Sequence, residues 1–255
     1  MKYVFRIMLV ACLLSGNGCS DARDDPVNEH FIELSFTVAA RQDVEIELVF
    51  DSPLYAGARM GSNRGKKVRC EWCLTNPRMI AYHDTEWGVP LHDDVKLFEF
   101  MVLDAFQAGL SWSTILDKRE NFRKAFAGFD PQRVARFNRR SVERLLKDAG
   151  IVRNRQKIES TIANAAEFLK VQEQFGTFDT YIWQFVGGKP RQNSYRTMRS
   201  IPANTKQSDA MSRDLKSRGF RFVGSTICYA FMQAAGMVND HKVSCFRYPQ
   251  IRKMG

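Results

Sequence analysis

No stretch of this chain is apolar for long enough to cross a bilayer. The best candidate, Ile7 to Leu14 behind Lys2 and Arg6, falls well short of the ~20 residues a spanning helix needs. Internal repeats and low-complexity tracts are also lacking, which sets aside solenoid arrays and long biased linkers. Histidine is scarce, at four in 255 residues, and cysteine numbers six. Acidic residues are in deficit over most of the length. The chain holds 38 Lys and Arg against 28 Asp and Glu, a net charge of +10. Residues 1–59 carry five basic and nine acidic side chains, so 33 basic and 19 acidic residues lie beyond them. A surplus of that size favours a polyanionic partner, nucleic acid ahead of an acidic membrane. The length suits one good core, or one domain with an appendage.

What is present concentrates between Cys70 and Pro90, CEWCLTNPRMIAYHDTEWGVP, which places two thiols, an imidazole, two indoles and a phenol within one short stretch. Cys70 and His83 are sulfur and nitrogen donors of the kind zinc prefers. They leave a tetrahedral site half closed, and His241 and Cys245 in NDHKVSC, one helical turn apart, are the obvious complement. Cys73 competes with Cys70 as a Cys-x-x-Cys pair. The competing reading makes these thiols small buried hydrophobes and the histidines ordinary surface residues.

Asn76 and Pro77 have the form of a helix start, and Gly88 that of its end. Val95 to Ala108 is apolar almost all round and predicts a buried helix. Asp104 is its anomaly. A carboxylate on that face must be paired, hydrogen-bonded or protonated, because an isolated buried charge is very costly. A structural acid capping a nearby helix end is the plainer alternative. Gln107, Gly109, Leu110 and Trp112 follow at once, and Gly109 is free to turn left-handed and bring backbone close to DNA. Trp112, Tyr82 and Trp87 read equally as core packing. The face Asp117 to Glu120 reads as solvated, and Ser141 as the cap of a short helix. In Leu145 to Ile158, LLKDAGIVRNRQKI, Gly150 is expected to end one helix and a second to begin near Arg153 or Asn154. A helix start there would offer free amides to a phosphate, with Arg153, Arg155 and Lys157 adding ionic contacts. Gly187 to Ala203 reads as a polar loop, and the chain after Met60 as all-helical.

CEWC with IAYHDTEWGVP, then LDAFQAGLSW, KRENFRKAF, DAGIVRNRQKI and RGFRFVGSTICYAFMQAAGMVNDH, resemble the 3-methyladenine DNA glycosylase I family in the same order. The resemblance runs from about Arg69 to Tyr248. It implies an all-α helix-hairpin-helix glycosylase fold, with one structural zinc per chain on Cys70, His83, His241 and Cys245, leaving Cys73 out. It implies a monomer that flips alkylated bases from double-stranded DNA and hydrolyses the glycosidic bond of 3-methyladenine without a lyase lysine. Trp112 would be the stacking platform and Tyr82 the pocket wall, with Trp87 and Gln107 beside them. Gly109, Leu110 and Gly150 would meet the DNA. Asp104 stands where the family has a glutamate that hydrogen-bonds the excised base, so its reach is shorter by one methylene.

The N-terminal 1–65 lies outside the resemblance, which assigns 66–255 to the glycosylase domain. Its first residues and Cys19 have the layout of a bacterial signal peptide. Residues 31–50 alternate apolar and polar residues and predict two strands, as a short β-hairpin or a disordered extension. Export would put zinc thiolates in an oxidising compartment. The expectation is therefore a cytoplasmic protein with no stable membrane partner, whose working part begins near Met60. Two readings compete with the enzyme: a non-catalytic helix-hairpin-helix zinc protein that binds DNA, and an exported zinc-binding lipoprotein.

Overall fold

The computed structural model describes residues 2–8, 31–37, 45–49 and 67–255. The chain divides into two units, which are taken separately.

In the first unit, β1 (Lys2–Met8), β2 (Phe31–Thr37) and β3 (Glu45–Val49) form an antiparallel sheet in sequence order. Met8 pairs with Phe31, and Phe36 with Ile46. The two strands expected within 31–50 are both present. Ile7 and Met8, expected to open an apolar leader, belong to β1, whose valine, aromatic and isoleucine residues suit a strand. The rest of that leader, Cys19 and the basic segment up to Lys66 lie outside the described residues.

The second unit is helical and is built around α2 (Asp94–Gln107). Asp93 caps it by accepting from the Lys96 amide, and every residue from Leu97 to Phe106 is buried. It packs on α3 (Trp112–Ala125), α6 (Arg155–Phe175), α7 (Phe178–Trp183) and α9 (Ser225–Ala234). Phenylalanine dominates the contacts: Phe106 meets Phe122 at 4.8 Å between ring centres, and Phe168 stacks on Phe178 at 4.0 Å. Each such side chain, fully buried, contributes about 1.5–3 kcal/mol.

α1 (Pro77–Thr85) starts as expected, with Asn76 accepting from the Met79 amide, and Gly88 beyond it has φ +81°. Asp130 caps α4 (Pro131–Ala135). α5 (Arg139–Lys147) is capped by Asn138, not Ser141: the serine is the third helical residue and its Oγ accepts in return from the Asn138 amide. α8 (Lys206–Ser217) starts at Thr205 through the same reciprocal arrangement with Ser208. The face expected to be solvated is partly interior. Arg119 is half-buried between two acids, donating to Glu86 at 2.8 and 2.6 Å and to Glu99 at 2.5 Å, and so joins α3 to α2 and to the end of α1.

The two ends of this unit meet. The Phe246 amide, just before α10 (Arg247–Arg252), donates to the Val68 carbonyl at 2.9 Å. The short strands β4 (Arg191–Gln192) and β5 (Val238–Asn239) pair in parallel and hold the 187–203 segment to the C-terminal part. Gly236 is where Val89 and Pro90 cross the end of α9. A Cβ there would stand 2.3 Å from the Val89 carbonyl carbon, so only glycine fits.

Candidate functional site

Four donors from both ends of the unit converge. The ligating atoms of Cys70, His83, His241 and Cys245 all lie within 4.8 Å of one another, and all four residues are buried. Cys245 Sγ is 3.4 Å from His83 Nε2 and 3.6 Å from His241 Nδ1, and Cys70 Sγ is 3.7 Å from His241 Nδ1. The outer ring nitrogens decide which lone pairs face inward. His241 Nε2 lies 3.1 Å from the Trp87 carbonyl, which can only accept, so Nδ1 is left bare toward the thiols. His83 Nδ1 lies 2.8 Å from Asp84 Oδ1, which turns a bare Nε2 inward. Asp84 in turn accepts a two-pronged contact from Arg69 at 2.9 and 2.7 Å. Burial pushes that carboxyl up, but Arg69 and His83 outweigh it and hold it below its usual range. Carboxylate and carbonyl partners of this kind set the orientation and basicity of ligating imidazoles.

The two thiols are unlike. Hydrogen bonding from Cys70 favours Cys245 as thiolate, and the same contact, with burial, pushes the Cys70 thiol up. Cys73 stands apart: its Sγ donates to the Cys70 carbonyl at 3.0 Å and belongs to no donor cluster among the described residues. The donor set, its burial and its inward lone pairs fit a tetrahedral zinc ion.

Next to this cluster lies a cavity of about 450 Å³. Trp72, Tyr82 and Trp87 wall one side, Asp104 and Gln107 come from α2, and Trp112 opens α3. Tyr82 and Trp112 are 5.5 Å apart between ring centres, and Trp72 lies edge-on to Trp87 at 5.0 Å. Five predicted residues therefore share one pocket: Tyr82, Trp87, Asp104, Gln107 and Trp112. Three buried polar atoms of its lining have no protein partner, namely Asp104 Oδ2 and the indole nitrogens of Trp72 and Trp112. With nothing to offset it, burial pushes the Asp104 carboxyl well above the carboxylate range. Burial first, and Asp104 second, push the Tyr82 phenol up as well.

Sequence reasoning missed the rest of the wall. Trp72 was visible as an indole in the opening stretch, and its unpartnered nitrogen is what marks it. Ile201 and Pro202 come from the segment read only as a polar loop, and Tyr229 and Gln233 from one face of α9. Asp240 fixes that face: Tyr229 Oη and Gln233 Nε2 donate to its Oδ2 at 2.6 and 2.7 Å.

The residues foreseen near DNA divide. Gly109 has φ +81° and Leu110 is exposed, in a turn closed by the Leu110 amide donating to the Gln107 carbonyl at 2.7 Å. α5 and α6 form a helical hairpin joined by residues 148–154, with Asn154 capping α6 through the Lys157 amide. Gly150 is not the helix end, which falls at Lys147. Its lack of a side chain matters because a Cβ would stand 2.9 Å from Asp148 Oδ1 and 3.1 Å from Asn121. Arg153 is exposed, and Arg155 is exposed but donates to Glu143 at 2.8 Å. Lys157 corrects the expectation: it is buried, and its ammonium donates to the Phe106 and Ala108 carbonyls at 2.9 and 2.6 Å. Lysine satisfies a helix C-terminus in this way, so Lys157 is spent inside the fold and is withdrawn from the phosphate contacts.

A helical unit of this arrangement is the fold of a DNA glycosylase. A solved structure described as 3-methyladenine DNA glycosylase I superposes with a TM-score of 0.69 at 51% identity, covering 71% of this chain and all of that one. The profile of the methyladenine glycosylase family matches residues 72–248, and the chain belongs to that family. DNA-3-methyladenine glycosylase 1 of Escherichia coli (strain K12) is 51% identical over 181 residues, 71% of this chain and 97% of its own. DNA-3-methyladenine glycosylase of Haemophilus influenzae is 44% identical over 178 residues, 70% and 96% respectively. A variant of 3-methyladenine DNA glycosylase I solved in complex with 3-methyladenine has a TM-score of 0.69 at 34% identity, covering 71% of this chain and 97% of that one.

Proposed function

We infer that this protein is a DNA repair enzyme that hydrolyses the N-glycosidic bond of 3-methyladenine in alkylated DNA, releasing the base and leaving an abasic site. One observation carries the assignment of roles: Asp104, a buried acid without a protein partner, faces an aromatic cavity. A flipped nucleotide places its base in such a cavity, stacked on aromatic rings and read along its edge. Trp112 and Tyr82 are the stacking surfaces, suited to a cationic purine because ring faces attract cations. Asp104 accepts from the base edge, and the cation makes its ionised form favourable inside the protein. Methylation already weakens the bond, so binding the departing base is most of the work. Water completes the reaction at the sugar.

Gly109 and Leu110 lie on the turn between the helices that carry Asp104 and Trp112, where an apolar side chain can occupy the space of an extruded base. The hairpin, through the α6 amides, Gly150 and Arg153, supplies sequence-independent phosphate contacts, with Arg155 beside them. We assign one zinc ion to Cys70, His83, His241 and Cys245. With four protein ligands it has no open position for substrate and would serve to join the chain ends. The working unit is residues 66–255, acting as a monomer in the cytoplasm, where alkylated chromosomal DNA is met. No helix among the described residues is long and apolar enough to cross a membrane.

The test is chromatography of the supernatant after incubation with methylated duplex. Free 3-methyladenine supports the enzyme. Duplex binding with no base released would support a non-catalytic DNA-binding module instead.

A further inference from the structure

α5 breaks two rules of helix electrostatics at once. Arg139 and Arg140 occupy its first two positions, where the helix dipole disfavours cations, and its first turn holds no acid. Arg140 and Arg144 are four apart, and Arg144 and Lys147 three apart, so like charges face one another along the helix. All four side chains are exposed, while Val142 and Leu145 face the core. The acid of this face, Glu143, is taken by Arg155 of α6 at 2.8 Å. None of the four cations has a carboxylate within ion-pairing distance among the described residues. A shallow surface depression is lined by these same residues. Arg144 and Lys147 lie in the last turn, where the dipole favours cations, but Arg139 and Arg140 are set against it. Exposed cations placed partly against local stability, and lacking any internal counter-charge, mark a functional surface.

We propose that this basic stripe binds the phosphate backbone of duplex DNA flanking the lesion, lengthening the footprint along α5 beyond the turn that joins it to α6. The inference rests on the DNA reading above and adds a surface to it. Position favours DNA over other polyanions, since the stripe ends at Lys147 and the hairpin turn with Arg153 follows directly. Nine helical residues extend about 13 Å, the axial span of about eight phosphate charges in duplex DNA. The contact is ionic and indifferent to sequence, so its contribution is to holding undamaged DNA during the search for lesions.

The test is the salt dependence of binding to an undamaged duplex of about three helical turns. Each phosphate contact contributes about 0.9 to the slope of log K against log salt. Changing Arg139, Arg140 and Arg144 together to Gln should lower that slope by about 2.7. It should change the melting temperature little, because Arg139 and Arg140 oppose the helix dipole while Arg144 lies in the favoured last turn and 5.7 Å from the centre of the Phe137 ring. Arg144→Gln alone should lower the slope by about 0.9. An unchanged slope in both variants, with a folded protein, overturns the proposal. So does loss of binding to vesicles of anionic phospholipid with duplex binding intact, which would give the stripe to a membrane. Wild-type protein that lacks any salt-dependent duplex binding would overturn the underlying DNA reading, an outcome seen before any variant is made.

Discussion

The ammonium of Lys157 donates to the carbonyl of Ala108 across 2.6 Å, tying the first turn of α6 to the end of α2. The contact links the hairpin to the turn that runs on to Trp112. Lys157→Met keeps the apolar stem and removes the donor from the Phe106 and Ala108 carbonyls. Leaving such groups unsatisfied costs about 1–3 kcal/mol, a fall of roughly 2–4 °C in melting temperature for each kcal/mol in a domain of this size. The salt slope of duplex binding should not move. A slope lowered by about one unit with an unchanged melting temperature would return Lys157 to the DNA surface.

For the metal, purified protein should contain about one zinc per chain. His241→Ala or Cys245→Ala should lose it and melt at lower temperature, since as zinc ligands they would hold the chain ends together. Cys73→Ala should retain it. Metal kept in Cys70→Ala and lost in Cys73→Ala, measured by elemental analysis, would reassign the ligand.

Burial raises the folded pKa of Asp104 above its unfolded value near 3.9. Below the unfolded pKa both states hold the proton and the group has no cost. Above it the unfolded chain releases the proton first, so stability falls as pH rises toward the raised folded pKa. Asp104→Asn removes that loss. In denaturant titrations the variant should match wild type near pH 3.5 and exceed it increasingly from pH 5 to 8. An advantage that is the same at every pH would show that Asp104 is not held protonated in the empty pocket.

Much of this was open to sequence reasoning where a single residue's chemistry met a local pattern. Asn76 with Pro77, the apolar run of α2 and the four zinc-type donors fall in this class. Asp104 was marked by polarity within an apolar helix, and in the fold it lines the cavity with Oδ2 unpartnered. What failed needed tertiary information. Lys157 lies beside exposed cations in the chain, and only the arrival of α2's carbonyls explains its burial. Arg119 sits in a charged run whose partners, Glu86 and Glu99, come from other segments. Ile201 and Pro202 belong to a segment with no periodicity, and only the fold brings them to the cavity.

Residues 60–255 should fold and excise base by themselves, because the relatives match this part of the chain over nearly their whole length. Equal melting temperature and equal release by the shortened and full-length chains is the expected outcome. Loss of either on removing residues 1–59 would make the N-terminal segment part of the working protein.

The roles proposed for the pocket require Asp104 to receive the flipped base. The most direct test is the single-turnover rate of 3-methyladenine release by wild type and Asp104→Asn on the same methylated duplex. The amide loses a charged hydrogen bond worth about 1.5–3 kcal/mol, so release should fall about tenfold to a hundredfold, while affinity for undamaged duplex holds. Asp104→Glu shows whether the pocket has adjusted to the shorter acid: faster release if it has not, slower if it has. An Asn variant that folds and releases 3-methyladenine at the wild-type rate would contradict the account.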